Sequence, residues 1–234
     1  MHQDPGGSNA PTMLIIGVLW DVDGVIIDSA EQHRAAWEAV ARLEGLPYSD
    51  EAFWPTFGMR NTDVIPRLYQ VAGPPERLAA LGERKEAIYR ELLAQEAHAL
   101  PGAKELMAAL HAAGYRQALC SSAPERNIAL IVELLGLGQW LEATVSGENV
   151  AHGKPAPDIF LAGAERLGIA PERCLVIEDA PAGIQAAHAG GMRCLAVRRA
   201  GQPDAPGLDA AEYIADALTV VDVALVDRLL GNAH

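Results

Sequence analysis

The sequence predicts an α/β fold: a doubly wound parallel sheet with helices on both faces and an all-helical insertion after its first strand. Three observations predict it. A nearly all-apolar run at residues 13–20 stops abruptly at acidic residues. From Pro101 onward, apolar runs alternate with helical patterns, which is the order of elements in a parallel sheet. Residues 29–100, between these two parts, show helical spacing and no strand pattern.

The same observations predict the domain boundaries. We expect a disordered leader at residues 1–12, which carry Pro, Gly, Ser and Asn but no apolar core. Residues 13–28 and 101–234 are expected to form the α/β core domain. Residues 29–100 are expected to form a separate helical domain.

The first strand is predicted at residues 13–20, which are apolar and partly β-branched. A run of this kind is typical of a strand that is buried on both faces. It breaks at Asp21-Val-Asp-Gly24, so we expect these acidic residues at a functional edge of the sheet.

The helical insertion is predicted from residues at helical spacing, such as Trp37, Val40 and Ala41. Pro101 and Gly102 then indicate the return to the sheet, because both residue types interrupt helices.

The remaining sheet is predicted from apolar runs that alternate with helices. Each helical pattern is followed by glycine, which readily adopts the left-handed conformation that ends helices. The predicted helices end before Gly114, Gly136, Gly168 and the pair Gly190-Gly191, and the predicted strands lie at residues 118–120, 174–177 and 194–197.

Composition limits the possible partners. The chain has 234 residues, is 50% hydrophobic and carries a formal net charge of −13. This charge would repel nucleic acids and anionic membranes, so we expect neither as a partner. Residues 13–20 are also far fewer than the ~20 apolar residues that a membrane span requires. Cys120, Cys174 and Cys194 cannot all pair with one another, and we interpret them as reduced core thiols of a cytoplasmic protein.

A pair of carboxylates, Asp21 and Asp23, follows the first strand. Their spacing of two residues places both side chains on the same side of an extended chain. Ligands bind at the carboxyl ends of central strands in doubly wound sheets. One such carboxylate can attack phosphorus while the other transfers protons to and from the reacting oxygens. Alternatively, the segment is an ordinary turn or part of a cation-binding loop.

A second acidic pair, Glu178 and Asp179, follows the predicted strand at residues 174–177. If that strand lies beside the first one, these carboxylates crowd against Asp21 and Asp23. Like charges at such distances raise one another's pKa unless a cation intervenes, and oxygen ligands near a phosphate favour Mg²⁺. The alternative interpretation is that the pair caps the following helix.

Two further motifs suit a phosphate-binding site. Ser121 and Ser122 stand at another strand end, where an ordinary helix cap is the alternative. Lys154 lies between Gly153 and Pro155, and the neighbouring prolines stiffen its loop, which would hold a cation in place at a phosphate. A lone lysine in a loop is otherwise a solvated surface residue.

These four motifs, in this order and spacing, closely resemble those of the haloacid dehalogenase (HAD) superfamily of phosphohydrolases and phosphomutases. The resemblance runs from Leu19 to about Val197. It implies a Rossmann-like core, and it implies that residues 29–100 form a helical cap domain. The implied catalytic residues are Asp21 as the nucleophile, Asp23 as the general acid/base, and Ser121 and Lys154 as phosphate ligands.

The same resemblance implies a Mg²⁺ cofactor. Its implied ligands are Asp21, Asp179 and the backbone carbonyl of Asp23, with Glu178 bound directly or through water.

The subgroup is indicated by the insertion. Its first helical residues resemble the start of the β-phosphoglucomutase cap, in which a matching His and Trp face the substrate. This resemblance implies that His33, Trp37 and Lys85 bind substrate. Alternatively, Trp37 belongs to the core of the cap and His33 lies at the surface.

The segment from Gly58 to Asn61 departs from the Gly-x-Ser-Arg pattern of that mutase, which shifts the arginine that would hold a second phosphate by one residue. Its Gly-x-Arg form is similar to cap segments of small sugar-phosphate phosphatases, as is the segment that contains Ser122. We therefore assign Gly58, Arg60 and Ser122 to the substrate site.

We expect a Mg²⁺-dependent phosphatase that hydrolyses a small phosphorylated sugar or sugar alcohol through an aspartyl-phosphate intermediate. The alternative is β-phosphoglucomutase, which must hold a bisphosphorylated intermediate with a fixed second anion ligand. A 2-haloacid dehalogenase is a further alternative, but its reaction would not use Asp23 or the carboxylates that bind Mg²⁺. The remaining alternative is a metabolite-binding protein without catalytic activity. We expect the protein to act as a monomer on a small-molecule phosphate ester.

Overall fold

A six-stranded parallel sheet forms the centre of the protein, as a computed structural model shows for residues 16–198 and 205–231. The strand order is β3-β2-β1-β4-β5-β6, so the chain builds outward from β1 in one direction and then from β4 in the other. The predicted doubly wound α/β fold is therefore confirmed. The strands are β1 (Gly17–Trp20), β2 (Arg116–Ser121), β3 (Ala143–Ser146), β4 (Cys174–Glu178), β5 (Arg193–Val197) and β6 (Tyr213–Ala215).

The register of the central strands aligns their carboxyl ends. Trp20 of β1 lies opposite Leu119 of β2 on one side and Ile177 of β4 on the other. The backbone N–H of Asp21 donates to the carbonyl of Ile177 at 2.9 Å. Because parallel strands end at the same edge, the residues that follow β1, β2 and β4 meet there.

Helices cover both faces of this sheet. Alternate residues of β1 serve the two faces: Val18 and Trp20 pack with the helices of one face, and Leu19 packs with those of the other. The helices after the insertion are α5 (Ala103–Ala112), α6 (Glu125–Leu135), α7 (Asp158–Leu167), α8 (Pro181–Ala189) and α9 (Val223–Leu230). Buried residues of α5, α6 and α9 belong to the Trp20 side, and those of α7 and α8 to the Leu19 side.

The glycines that follow these helices behave largely as predicted. Gly136 and Gly168 adopt left-handed conformations, with φ of 67° and 64°. After α8, however, Gly190 has an ordinary φ of −83° and Gly191 is the left-handed residue, at 75°. One extra residue therefore precedes the reversal at the end of this helix.

Residues 29–100 contain helices and no β-strand. The helices are α1 (Ala30–Glu44), α2 (Asp50–Phe53), α3 (Asn61–Leu68) and α4 (Pro75–Gln95). They enclose an apolar core of their own, which includes Trp37, Phe53, Ile65 and Tyr69. The exact domain boundaries stay a prediction.

The two chain crossings between the sheet and this helical segment lie side by side. An isolated antiparallel bridge joins Ile27 and Ala99. Beside it, the N–H of Leu100 donates to the carbonyl of Ile26 at 2.8 Å, and the N–H of Asp28 donates to that of His98 at 3.3 Å. The segment therefore enters and leaves the core at one place.

Three elements of the core lacked a sequence prediction, namely the outer strands β3 and β6 and the final helix α9. Both strands are very short, with four and three residues, and β3 mixes apolar and hydroxyl side chains. The structure describes the chain from residue 16 onward, and in that part β1 begins at Gly17. Residues 13–15 of the predicted strand, and the predicted leader at residues 1–12, lie outside the described residues.

The three cysteines are buried and free, as predicted for core thiols. Within the described ranges, no helix has the length and apolar character that crossing a membrane requires.

Candidate active site

The loop after β1 is a tight turn that holds Asp21 and Asp23 at the carboxyl edge of the sheet. The carbonyl of Val22 accepts the N–H of Ile26 at 2.9 Å, and the N–H of Gly24 donates to the carbonyl of Ile27, also at 2.9 Å. Gly24 has a φ of 86°, a conformation that glycine adopts without steric strain. Asp21 and Asp23 are only 6% and 8% exposed to solvent, so the turn buries both residues.

Asp21 lies in a cluster of charged side chains from three parts of the core. The ammonium of Lys154 donates to Asp21 Oδ1 at 2.6 Å and to Glu178 Oε1 at 2.5 Å. Carboxylate oxygens of Asp21, Glu178 and Asp179 lie within 4.8 Å of one another. The predicted convergence of acids from β1 and β4 is thus present, with Lys154 between two of them.

Burial and neighbouring charges shift the pKa values of the side chains in this cluster. Burial raises the pKa of Asp21 well above its usual range; Lys154 opposes this effect, while Glu178 and Asp179 add to it. Burial lowers the pKa of Lys154, but Asp21 and Glu178 outweigh burial and raise it above its usual value. An additional cation would therefore be stabilised here, because it would offset the remaining negative charge.

Backbone N–H groups hold the carboxylate of Glu178 in place. Its Oε2 accepts the N–H groups of Asp179 and Ala180, each at 2.7 Å. Its carboxylate lies where a side chain of Gly183 would be, since a Cβ there would stand 1.8 Å from Oε1. The residue before α8 is Ala180, so neither member of the acidic pair stands at the N-cap position itself.

The acidic cluster fits Mg²⁺ in its chemistry, because all of its ligand atoms are carboxylate oxygens. Asp21, Asp179 and Glu178 would hold the ion. The side chain of Asp23 is not part of the cluster, and its assignment as a ligand through the backbone carbonyl stays a prediction.

The second carboxylate, Asp23, has its own set of donors. Its Oδ1 accepts the hydroxyl of Ser29 at 2.5 Å and lies 3.1 Å from Nε2 of His33. The hydroxyl of Tyr89 lies 3.4 Å from the same oxygen. Burial alone would raise the pKa of Asp23, but His33, Ser29 and Lys85 outweigh it and lower that pKa to about 2. Asp23 is therefore a carboxylate at neutral pH in this arrangement of side chains.

His33 connects Asp23 to a buried ion pair. The ammonium of Lys85 lies 2.6 Å from Nδ1 of His33 and donates to Oε1 of Glu86 at 2.9 Å. An ammonium group can only donate, so Nδ1 accepts and Nε2 carries the proton that His33 donates to Asp23. Burial lowers the pKa of Lys85, with Glu86 opposing that effect.

Glu86 joins the helical segment to the core. It accepts hydrogen bonds from the side-chain amides of Asn61 on α3, at 2.8 Å, and Asn127 on α6, at 2.6 Å. Arg90 of α4 donates to the amide oxygen of Asn127 at 3.0 Å. A continuous set of polar contacts thus runs from α6 through Glu86, Lys85 and His33 to Asp23.

Ser121 ends β2 and is 1% exposed. Its hydroxyl accepts the N–H of Ala123 at 3.1 Å, and the residue before α6 is Pro124. Ser121 is therefore not an ordinary N-cap of that helix. Ser122 follows it and is half-buried.

A cavity of about 280 Å³ lies between the sheet edge and the helical segment. Its wall includes Asp21, Asp23 and Ser121 from the core. The residues predicted to bind substrate all line it as well, namely His33, Trp37, Gly58, Arg60, Lys85 and Ser122. Their roles stay predictions, although the structure brings all of them to one space.

Two alternative interpretations are resolved by this arrangement. The His33 side chain is 12% exposed and stacks on Tyr89 with ring centroids 3.9 Å apart, so it is not a surface residue. Trp37 belongs to the core of the helical segment and also lines the cavity, where the ammonium of Lys85 lies 5.0 Å from its ring centroid.

Arg60 contacts the core directly. Its two terminal nitrogens donate to the carbonyls of Val150 and Ala151, at 3.1 and 3.2 Å. The side chain packs on Gly153, where a Cβ would stand 2.9 Å from Arg60 Nε. This contact is next to Lys154 in the chain.

Several residues of the site lacked a sequence prediction. Glu86 is the central one, and its signal is its place on α4, where buried residues recur at helical spacing. Ser29 directly precedes the first helix of the insertion, a position favoured by serine. Tyr89 shares the helical spacing of α4. The others carry no local signal, because their partners come from distant segments: Asn61, Asn127 and Glu148.

A parallel α/β sheet with clustered carboxylates at its carboxyl edge is the arrangement expected of the HAD superfamily. The family model of haloacid dehalogenase-like hydrolases matches residues 16–191. The chain belongs to this family, and the prediction of a hydrolase of this superfamily is confirmed.

Known proteins similar to this chain include both phosphatases and mutases. Fructose-1-phosphate phosphatase YqaB of Escherichia coli (strain K12) is 37% identical over 186 residues, which are 78% of this chain and 96% of that protein. Beta-phosphoglucomutase of Bacillus subtilis (strain 168) is 32% identical over 193 residues, 80% of this chain and 84% of that protein. The crystal structure of β-phosphoglucomutase from Clostridium difficile superposes with a TM-score of 0.84 at 23% identity, covering 93% of this chain and 98% of that one.

Proposed function

We propose that this protein is a Mg²⁺-dependent phosphatase that hydrolyses a small phosphorylated sugar or sugar alcohol, with Asp21 as the nucleophile. The observation that carries the proposal is the position of Asp21. Its buried carboxylate faces the cavity and touches Lys154, and the carboxylates of Glu178 and Asp179 lie beside it. The similarity to a fructose-1-phosphate phosphatase supports the same substrate class.

In the first step, Asp21 attacks phosphorus in line with the leaving sugar oxygen and forms an aspartyl phosphate. Lys154 and Ser121 hold the phosphate oxygens, since both reach the strand end that carries Asp21. Bound Mg²⁺ would supply positive charge that offsets the phosphate and the clustered carboxylates.

Asp23 transfers the protons. Its pKa of about 2 belongs to the arrangement of side chains described above, and a phosphate dianion beside it raises that pKa because like charges repel. As the phosphate binds, Asp23 takes up a proton from solvent, and it then donates that proton to the leaving oxygen. In the second step it takes a proton from the water that attacks the aspartyl phosphate, and it releases this proton to solvent when inorganic phosphate leaves. His33 and Ser29 keep its side chain in place.

The helical segment serves as a cap in this proposal. Lys85 and Trp37 face the sugar from the cap side of the cavity. The contacts of Glu86 with Asn127 hold the cap against α6, which excludes bulk water from the reacting atoms. We further propose that the protein acts as a monomer and that it is located in the cytoplasm. A reducing compartment of this kind suits its buried free thiols.

A second candidate function is that of β-phosphoglucomutase. The similarity to the Bacillus subtilis enzyme favours it. A mutase requires a fixed ligand for the second phosphate of its intermediate, and Arg60 is the cap arginine available. The terminal nitrogens of Arg60 already donate to backbone carbonyls, which favours hydrolysis instead.

A substrate screen tests the proposal. The purified protein is incubated with Mg²⁺ and either fructose 1-phosphate, β-glucose 1-phosphate or a 2-haloacid, and inorganic phosphate, glucose 6-phosphate and halide are measured. Mg²⁺-dependent phosphate release from a sugar phosphate is the expected result. Isomer without phosphate release would establish the mutase, halide release would establish a dehalogenase, and no turnover of sugar phosphates would refute the proposal.

A further inference from the structure

The positive charges around the cavity are already committed to protein partners. Lys85 is paired with Glu86, and Lys154 with Asp21 and Glu178. Among residues 16–198 and 205–231, the lysine and arginine residues on the cavity wall are Lys85 and Arg60, and Lys154 contacts the wall residue Asp21. A phosphate at Asp21 would share Lys154 with Asp21 and Glu178 and would also contact Mg²⁺ when that ion is bound. A second phosphate would have only Lys85, which is paired with the buried Glu86, and Arg60.

Arg60 is poorly placed to change partners. Its two terminal nitrogens are bound to the carbonyls of Val150 and Ala151, and its Nε is buried without a hydrogen-bond partner. Releasing the guanidinium to a ligand would break both of these hydrogen bonds and would separate Arg60 from Gly153. The arginine therefore acts as a contact between the helical segment and the core.

The wall of the cavity also carries a carboxylate away from Asp21. Glu148 follows β3, and its Oε2 accepts the N–H of Glu125, the first residue of α6, at 2.9 Å. β3 lies two strands from β1, and strands are about 4.8 Å apart, so Glu148 stands roughly 10 Å from the end of β1. Glu148 lines the same cavity as Asp21, so a sugar phosphate that extends along the sheet edge from Asp21 would bring its far end near this carboxylate.

The position that Glu148 occupies is the one a second anion would favour. Helix N-termini attract negative charge through their free N–H groups, and here the carboxylate of Glu148 takes that place at α6. The neighbouring wall residues Ala123 and Pro124 offer no polar side chain. The uncharged polar side chains of Ser122 and Thr62 line the same cavity.

We propose that this site selects substrates with one phosphate and an uncharged, hydroxyl-bearing remainder, and that Glu148 is the residue that rejects a second anionic group. This inference rests on the proposed phosphatase function and adds which phosphate esters the site accepts. The physical cause is repulsion between the carboxylate of Glu148 and a distal phosphate, in a cavity whose arginine is held by backbone carbonyls.

The test compares phosphate release from fructose 1-phosphate and fructose 1,6-bisphosphate, as a ratio of kcat/KM values in the presence of Mg²⁺. The variant E148Q removes the charge but keeps an oxygen that can accept the N–H of Glu125. The control E133Q removes the same charge from a position on α6 that is exposed, as Glu148 is, but lies outside the cavity wall. Each protein is assayed at low salt and at about 0.5 M NaCl, where exposed charges are screened within a few ångströms.

We expect the wild-type protein to prefer the monophosphate, and E148Q to shift the ratio about tenfold toward the bisphosphate. The E133Q ratio should equal that of the wild type, and salt should shift the wild-type ratio in the same direction as E148Q. If E148Q stays within about twofold of the wild type, Glu148 does not set the selection and the inference is overturned. Failure of the wild type to release phosphate from either sugar would instead overturn the proposed function itself.

Discussion

At Gly183, helix propensity favours a larger residue, whereas the position of the Glu178 carboxylate requires glycine. It lies in the first turn of α8, where alanine is favoured over glycine by about 1 kcal/mol. A Cβ there would stand 1.8 Å from Oε1 and 2.0 Å from Cδ of Glu178. The carboxylate must therefore move in the variant G183A.

Moving Glu178 breaks its two hydrogen bonds from the N–H groups of Asp179 and Ala180, and its contact with Lys154. Hydrogen bonds to a charged group contribute about 1.5–3 kcal/mol each, so the loss exceeds the gain in helix preference by about 2–5 kcal/mol. The affinity for Mg²⁺ should fall by at least about tenfold, as it does when groups that orient metal ligands are disturbed.

Urea unfolding with and without Mg²⁺ measures both effects. Mg²⁺ should stabilise the wild type by mass action and should stabilise G183A much less. The matched control is G190A at the other end of α8, where a Cβ would meet no atom closer than 3.4 Å and φ is −83°. Equal unfolding free energies and equal Mg²⁺ responses for G183A and G190A would refute the assignment of Glu178 to the metal site.

Three further variants have defined outcomes. D21N should keep the circular dichroism spectrum of the wild type and lose Mg²⁺-dependent phosphate release, whereas the exposed control D63N should keep both. For Asp23, the folded pKa of about 2 is below the unfolded value of about 3.9, so its contribution to stability is present above about pH 5 and lost as pH falls through 4 to 2. The difference in unfolding free energy between wild type and D23N should therefore shrink by up to about 2.5 kcal/mol over that range. A constant difference would contradict the stabilisation of the Asp23 carboxylate by Ser29 and His33. G102A should lower the unfolding free energy by about 2 kcal/mol or more, because Gly102 has a φ of 87° and a Cβ would stand 2.4 Å from the backbone nitrogen of Thr219; an unchanged urea midpoint would contradict this.

The strand ends of the site could be predicted because each follows an apolar run that stops at a polar residue. Asp21, Ser121 and Glu178 all stand at such points, and the parallel register then brings them together. The position of Lys154 was predicted from its motif, and its contacts with Asp21 and Glu178 explain why a cation is needed there.

The contacts between the helical segment and the core could not be predicted in the same way. Glu86 and Asn127 are 41 residues apart in the chain, and nothing in either local pattern indicates a buried carboxylate paired with an amide. The pairing depends on how α4 packs against α6, which is a tertiary property. The short strand β3 was missed for a related reason, because its place beside β2 compensates for a weak local pattern.

The paired crossings near Ile27 and Ala99 have a consequence for how such enzymes diversify. An inserted segment whose ends already lie together imposes little loop-closure entropy on the protein that receives it. Helical inserts of different shape can therefore be exchanged at this junction, by recombination or by design, while the order of the six strands is preserved.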